Sequence, residues 1–280
     1  MKKEEAIDAN IKVHSAMAGY YNEVEPHFRP ESISRVRGIV EEIHKKTNFS
    51  KVLDLGCGTG FMIDIVKPFC QEITGVDVTQ SMLDRVDLSG ECKIDLINCD
   101  TATVDLCEGY YDFATAYSFL DHLQDLIPTF KTCYSSLKEG GVFYADLNPN
   151  FYFWKKIKGI DRSLKHSSIV QREIDAVYEK NKEIEEKFGI DADTFIKAEY
   201  FKHIKGGLSE EDFKDALHSV GFKKVTFVYH WFIGQAQLIN SDPEHREDLL
   251  RQASLFHNHL IEALPTSKDL FKYIGFIAEK

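Results

Sequence analysis

Lys51-Val-Leu-Asp-Leu-Gly-Cys-Gly-Thr-Gly60 is the segment that most restricts what this chain can fold into. Lys51 to Leu55 is a short apolar run of the kind a buried parallel strand needs. Gly56, Gly58 and Gly60 then remove every second side chain from the turn that follows. A strand that ends in such a turn and feeds a helix lets backbone N–H groups come close to a ligand. Phe61, Met62, Ile63, Ile65 and Val66 restore apolar side chains where that helix should run.

A second apolar run, Glu72 to Asp77, lies about one crossover downstream and ends in an acid. An acid at the tip of the second strand accepts hydrogen bonds from a ribose diol. A nicotinamide dinucleotide would also meet that description. Two details oppose it. The glycines are spaced Gly-x-Gly-x-Gly, not Gly-x-Gly-x-x-Gly, and Asp54 sits inside the first strand. A carboxylate there repels a pyrophosphate and suits a ligand with a cationic amino group.

In these residues the chain resembles the class I S-adenosylmethionine-dependent methyltransferases. Val52 to Gly60 is similar to that family's first motif, and Gly75-Val76-Asp77 to its second. Cys99-Asp100-Thr101 resembles the third, Tyr111 to Leu123 the fourth, and Leu137 to Asp146 the turn and fifth strand. Five motifs in order are far more specific than one glycine turn. The resemblance implies a seven-stranded Rossmann-like α/β sheet, mostly parallel with the last strand antiparallel. It implies S-adenosyl-L-methionine as cofactor and methyl transfer to N, O, S or C of an acceptor. Asp54, Gly56, Cys57, Gly58 and Gly60 would hold the methionine portion. Asp77 would take the ribose, Asp100 and Thr101 the adenine edge, and Val78 and Met82 the adenine face. Tyr21 falls where related enzymes place an aromatic against the methionine end. Tyr117, Ser118, Asp121 and His122, at the end of the fourth strand, would lie beside the reactive methyl. His122 has the intrinsic pKa of a general base.

Composition narrows the acceptor. The net charge of −11 disfavours non-specific nucleic-acid binding, which needs cationic surface. A small-molecule acceptor is expected, with no nucleic-acid partner and no membrane span. A protein that holds the cofactor without transferring a group, as a sensor or partner protein, is the alternative. The six scattered cysteines contain no Cys-x-x-Cys pair and read as reduced thiols. His257 and His259 stand two apart on an expected helix and point to different faces, so no metal site is expected. Met1-Lys-Lys-Glu-Glu-Ala carries charge with no apolar signal core behind it, and a cytoplasmic location is expected.

The remainder divides around that core. Residues 1–48 read as an N-terminal helical cap, with Gly19 a break before Tyr20-Tyr21 and Ser32 an N-cap for Ile33 to Lys45. Residues 49–149 and 207–280 form the sheet domain. Its strands are expected at 51–55, 72–77, 94–98, 112–117, 141–147, 224–232 and 271–279. A helix from Leu126 to Leu137 should end at Gly140-Gly141, and Ser209 should cap the last crossover helix. Residues 150–206 are too long for a bare loop and are expected as an inserted substrate lid with one charged helix from Arg172 to Phe188. Its Phe151, Tyr152, Phe153, Trp154, His166, Tyr200 and His203 are either acceptor contacts or the insertion's own core. A second insertion should carry a helix from Pro243 to Leu264.

Overall fold

A computed structural model describes residues 2–280. Seven strands form one sheet: β1 (Lys51–Leu55), β2 (Glu72–Asp77), β3 (Lys93–Asn98), β4 (Tyr111–Tyr117), β5 (Leu137–Pro149), β6 (Lys224–Phe232) and β7 (Phe271–Glu279). Their order is β3-β2-β1-β4-β5-β7-β6, with β7 antiparallel to both neighbours. The chain leaves β1 toward β2 and returns past it to β4. The order therefore reverses between β1 and β4, and the carboxyl ends of those two strands flank a crevice. The glycine turn follows β1 and the Ser118–His122 segment follows β4, so both open onto it.

Burial explains the strand sequences. Val52, Leu53 and Leu55 are fully buried, as are Phe113, Ala114 and Ala116 on β4. One apolar layer packs β4 and β5 against the helices Leu126–Ser136 and Glu210–Val220. The other packs β1 and β2 against Pro30–Thr47 and Phe61–Val66.

Several boundaries differ from expectation. The third helix starts at Pro30, whose missing N–H is harmless in a first turn; Ser32 is buried inside it and its Oγ donates to Pro26 O at 3.3 Å. The helix from Leu126 stops at Ser136 because β5 begins at Leu137. Tyr111 pairs with Leu137 and Phe113 with Val142, so Gly140 and Gly141 lie in a bulge of β5. The charged helix is two, Ser168–Tyr178 and Lys180–Phe188, each with its own buried isoleucine, Ile174 and Ile184. The second insertion holds a short 3₁₀ turn, Pro243–His245, and then the helix Arg246–Glu262. Ser209 caps its helix with a reciprocal bond to Asp212.

The insertion meets the N-terminal helix. Ala192–Ala198 packs on Lys3–Met17 through Ala9, Val13, Met17, Phe195 and Ala198. Phe153, Trp154 and Ile157 instead form a separate small core with Ile174. Among the described residues no helix is long and apolar enough to cross a membrane.

Candidate active site

The glycine turn and Asp77 are built as one unit. Gly56 N and Cys57 N donate to Val76 O at 2.8 and 3.1 Å, locking the turn onto the end of β2. Gly58 N donates to Asp77 Oδ2 at 3.0 Å, and Thr79 N to Oδ1 at 2.8 Å. Burial pushes the Asp77 carboxyl above its usual range, against the pull of those two N–H groups. Gly56 has φ +70°, and a Cβ there would lie 2.1 Å from Phe119 Cδ2. No L side chain fits, so the backbone can face a ligand at this point.

A cavity opens over this unit. Tyr21, Gly56, Cys57, Gly58, Asp77 and Val78 line its β1–β2 side. Met82, Asp100, Thr101, Tyr117, Ser118 and His122 complete it. Of the residues expected from the sequence, Asp54 and Gly60 lie outside the wall, and Asp121 faces a second cavity. Asp54 stands behind the turn, 1% exposed, and accepts from Thr115 Oγ1 at 2.7 Å. Its Oδ2 has no hydrogen-bond partner among the described residues. Burial, with Asp77 nearby, pushes its carboxyl up to about 7. Asp100 serves the fold as well as the wall: its Oδ1 accepts from Ala102 N at 3.0 Å, and its Oδ2 pairs with Lys3 Nζ at 2.6 Å. The Thr101 hydroxyl turns inward to Thr129.

The second cavity adjoins the first. His14, Tyr21, His27, Ser118 and His122 line both. Its far side comes from the insertion (Lys180, Ile184, Phe195, Ala198, Glu199, Lys202) and from Trp231 and Tyr273 of the sheet edge. None of the seven insertion aromatics and histidines singled out in the sequence reaches either wall. His203 bonds Glu199 instead, and Phe153 and Trp154 are buried in the insertion's own core.

His122 sits at the junction. Its Nδ1 lies 2.8 Å from Ala198 O. A carbonyl only accepts, so this contact assigns a proton to Nδ1, and in the neutral ring the lone pair is on Nε2. Nε2 is 3.9 Å from Asp121 Oδ1. Tyr117 is differently engaged. Its hydroxyl accepts from Arg35 Nη2 at 3.1 Å, and Arg35 Nη1 donates to Asp146 Oδ2 at 3.0 Å. Tyr144 OH also donates to Asp146 Oδ2, at 2.7 Å, and His230 Nε2 lies 3.0 Å away. Burial raises the Tyr117 hydroxyl well above its usual range, so it stays protonated near neutral pH. The same burial would raise Asp146, but His230 and Arg35 hold it well below the usual carboxylate range.

Sequence reasoning passed over Lys3, Asn10, His14, His27 and Thr79, all on the wall of the first cavity. The signal for three of these was present. Lys3, Ala6, Ile7, Asn10 and His14 recur at helical spacing and form the face of the first helix turned to the cavity.

Residues 53–145 match the Methyltransf_11 family, described as a methyltransferase domain. A ubiquinone biosynthesis O-methyltransferase of Bordetella pertussis is 28% identical over 149 residues, which is 51% of this chain and 62% of that protein. The chain thus spans less than two thirds of the length of the curated relatives it matches first. Among solved structures, a SAM-dependent methyltransferase from Archaeoglobus fulgidus superposes with TM-score 0.51 at 19% identity, covering 89% of this chain and 95% of that one. The Haemonchus contortus phosphoethanolamine N-methyltransferase 2, in complex with phosphomonomethylethanolamine and S-adenosylhomocysteine, gives TM-score 0.56 at 15% identity, covering 99% and 59%. Residues 53–145 thus match a methyltransferase domain, and the fold is that of solved S-adenosylmethionine-dependent methyltransferases. The turn around Gly56, the carboxylate of Asp77 and the buried Asp54 suit that family's cofactor, whose methionine end carries cationic nitrogen and sulfur.

Proposed function

We propose that the chain transfers a methyl group from S-adenosyl-L-methionine to a small-molecule acceptor held in the second cavity. One observation carries this reading: two cavities, one floored by the glycine turn and Asp77, the other closed by the insertion, meet at His122 and Ser118. When bound, the cofactor supplies a methyl group on a sulfonium, activated for displacement by an acceptor lone pair. The chain then has to align the two partners, exclude water and take up a proton. In this reading the turn from Gly56 to Gly60 holds the methionine portion, and Asp54 behind it offsets the positive charge. Asp77 takes the ribose diol, and Asp100, Thr101, Val78 and Met82 surround the base. Cys57 and Tyr21 complete the wall. His122 Nε2 is the proton acceptor, while Asp121 and Ser118 shape the acceptor side. Tyr117 is a packing group whose hydroxyl belongs to Arg35.

Residues 1–48 and 150–206 act together as the lid over a sheet domain made of 49–149 and 207–280. The enclosed acceptor cavity and the net charge of −11 both favour a small molecule over a nucleic acid. The name of the curated relative, an O-methyltransferase of ubiquinone biosynthesis, points the same way. The six free cysteines are consistent with work in the cytoplasm. The test is incubation with methyl-labelled cofactor and a fractionated small-molecule extract. Labelled product together with S-adenosylhomocysteine is expected. Tight cofactor binding with no labelled product from any fraction would instead make the chain a sensor or partner protein.

A further inference from the structure

Backbone strain is concentrated around the second cavity. Among the described residues four non-glycine residues have positive φ, and one, Asn48, merely ends a helix. The other three, Ser118 (+50°), Leu147 (+59°) and Trp231 (+58°), all line this cavity. Leu147 lies where β5 takes an extra residue against β7, between Ala145 and Asn148. Strained, non-glycine backbone gathered at one cavity marks a functional wall, because surrounding contacts must hold it there.

The charges on that wall are unequal. Three carboxylates, Glu25, Asp121 and Glu199, face two lysines, Lys180 and Lys202. Glu199 is already committed: Lys202 Nζ lies 2.5 Å away and His203 Nε2 3.0 Å. Lys180, more than a third exposed, has Glu183 at 3.5 Å. Asp121 is different. Its side chain is 9% exposed, and its Oδ1 has no hydrogen-bond partner among the described residues. Glu25 likewise forms no ion pair among the described residues. Among the described residues neither carboxylate forms an ion pair with a lysine or arginine, although the charge of Lys202 acts on both and that of Lys180 on Glu25, and both stand beside the rings of Tyr21, Trp231 and Tyr273.

We propose that the acceptor is a small amine, bound as its ammonium between Asp121, Glu25 and these aromatic rings, and methylated on nitrogen. Carboxylates and ring faces are the two surfaces that attract an ammonium. A phenol acceptor meets the opposite field, since its oxygen must gain negative charge as the methyl arrives. The cavity's own phenols report that field. Burial, then Glu25 and Asp121, keep the Tyr21 hydroxyl protonated, and burial followed by Glu25 and Glu199 does the same for Tyr273. The ammonium must first lose one proton, and His122 Nε2 accepts it, the resulting imidazolium lying 3.9 Å from Asp121 Oδ1. The nitrogen lone pair then forms the N–C bond while the C–S bonding pair stays on sulfur.

This proposal rests on the cofactor reading above, and the test separates the two. Calorimetry on the full chain saturated with S-adenosylhomocysteine compares primary amines from ethanolamine to phenethylamine with the matching alcohols, ethylene glycol to 2-phenylethanol. At least one amine should bind tenfold or more tightly than its alcohol. The Glu25→Gln/Asp121→Asn double variant should remove that preference while its thermal melt and S-adenosylhomocysteine affinity remain. Saturation with no amine preferred overturns the amine assignment alone, as does a preference that survives in the double variant. No heat with S-adenosylhomocysteine itself overturns the cofactor reading and this proposal with it.

Discussion

Asp54→Asn should make the protein's stability less sensitive to pH. The wild-type carboxyl is buried behind the glycine turn and is raised from 3.8 to about 7. Its folded pKa lies above the unfolded one, so the folded chain binds more protons in that window. Stability therefore falls as pH rises from about 4 to 7, and the full penalty is present above 7. The penalty is about 2 kcal/mol at pH 5 and about 4 kcal/mol at pH 8, an increase of about 2–3 kcal/mol as an upper figure. Asparagine keeps the bond from Thr115 Oγ1, seen at 2.7 Å, but does not ionise. It places an N–H where Oδ2 has no partner, a cost of about 1–3 kcal/mol that is independent of pH. Urea melts of the ligand-free protein at pH 5 and pH 8 isolate the difference, since the constant cost cancels. The variant should gain on the wild type by up to about 3 kcal/mol across that range. S-adenosylhomocysteine affinity should rise with pH in the wild type, as Asp54 ionises near the ligand's ammonium, and stay flatter in the variant. Parallel stability profiles for the two proteins would refute the assignment of a protonated, orphaned Asp54.

Gly56→Ala forces a Cβ to 2.1 Å from Phe119 at a φ of +70°, so it should lower stability by about 1–3 kcal/mol and abolish S-adenosylhomocysteine binding in calorimetry. Arg35→Leu strands Asp146 in the core and should cost about 3–5 kcal/mol in urea melts at pH 8. That loss should shrink as pH is lowered and the stranded Asp146 carboxylate takes up a proton. His122→Ala should slow turnover by about 10²-fold or more with cofactor affinity kept, and added imidazole should restore part of the rate. Unchanged turnover would remove His122 as the base and leave alignment as the main device.

The sheet was legible in the sequence because its strands are short apolar runs that end in turn residues. Asp77 and the glycines could be read because the turn requires those residue types at that spacing. The order of pairing brings both cavity-forming segments to one crevice, as the doubly wound arrangement requires. The acceptor side was less readable. Asp121 and Glu25 lie 96 positions apart and gain meaning only when the fold brings them to one cavity. Arg35, within the helix Pro30–Thr47, gives no sequence signal of its own, because its partner Asp146 lies 111 residues away. The insertion misled in another way. Its conspicuous aromatics pack on each other, and the polar pair Glu199 and Lys202 reaches the cavity instead. Apolar bulk in a peripheral segment is needed first to hold that segment together. The single helix expected over 172–188 divides near Glu179 because two separate isoleucines, Ile174 and Ile184, anchor its halves to different cores.

Titration of wild type and Asp77→Ala with S-adenosylhomocysteine tests most directly that the bare turn and its carboxylate form one ligand cradle. The wild type should bind, NAD should not, and the variant should lose about 1.5–3 kcal/mol of affinity as the charge-assisted bonds to the ribose vanish. A wild-type titration without heat, or a variant that binds as tightly as the parent, would contradict it.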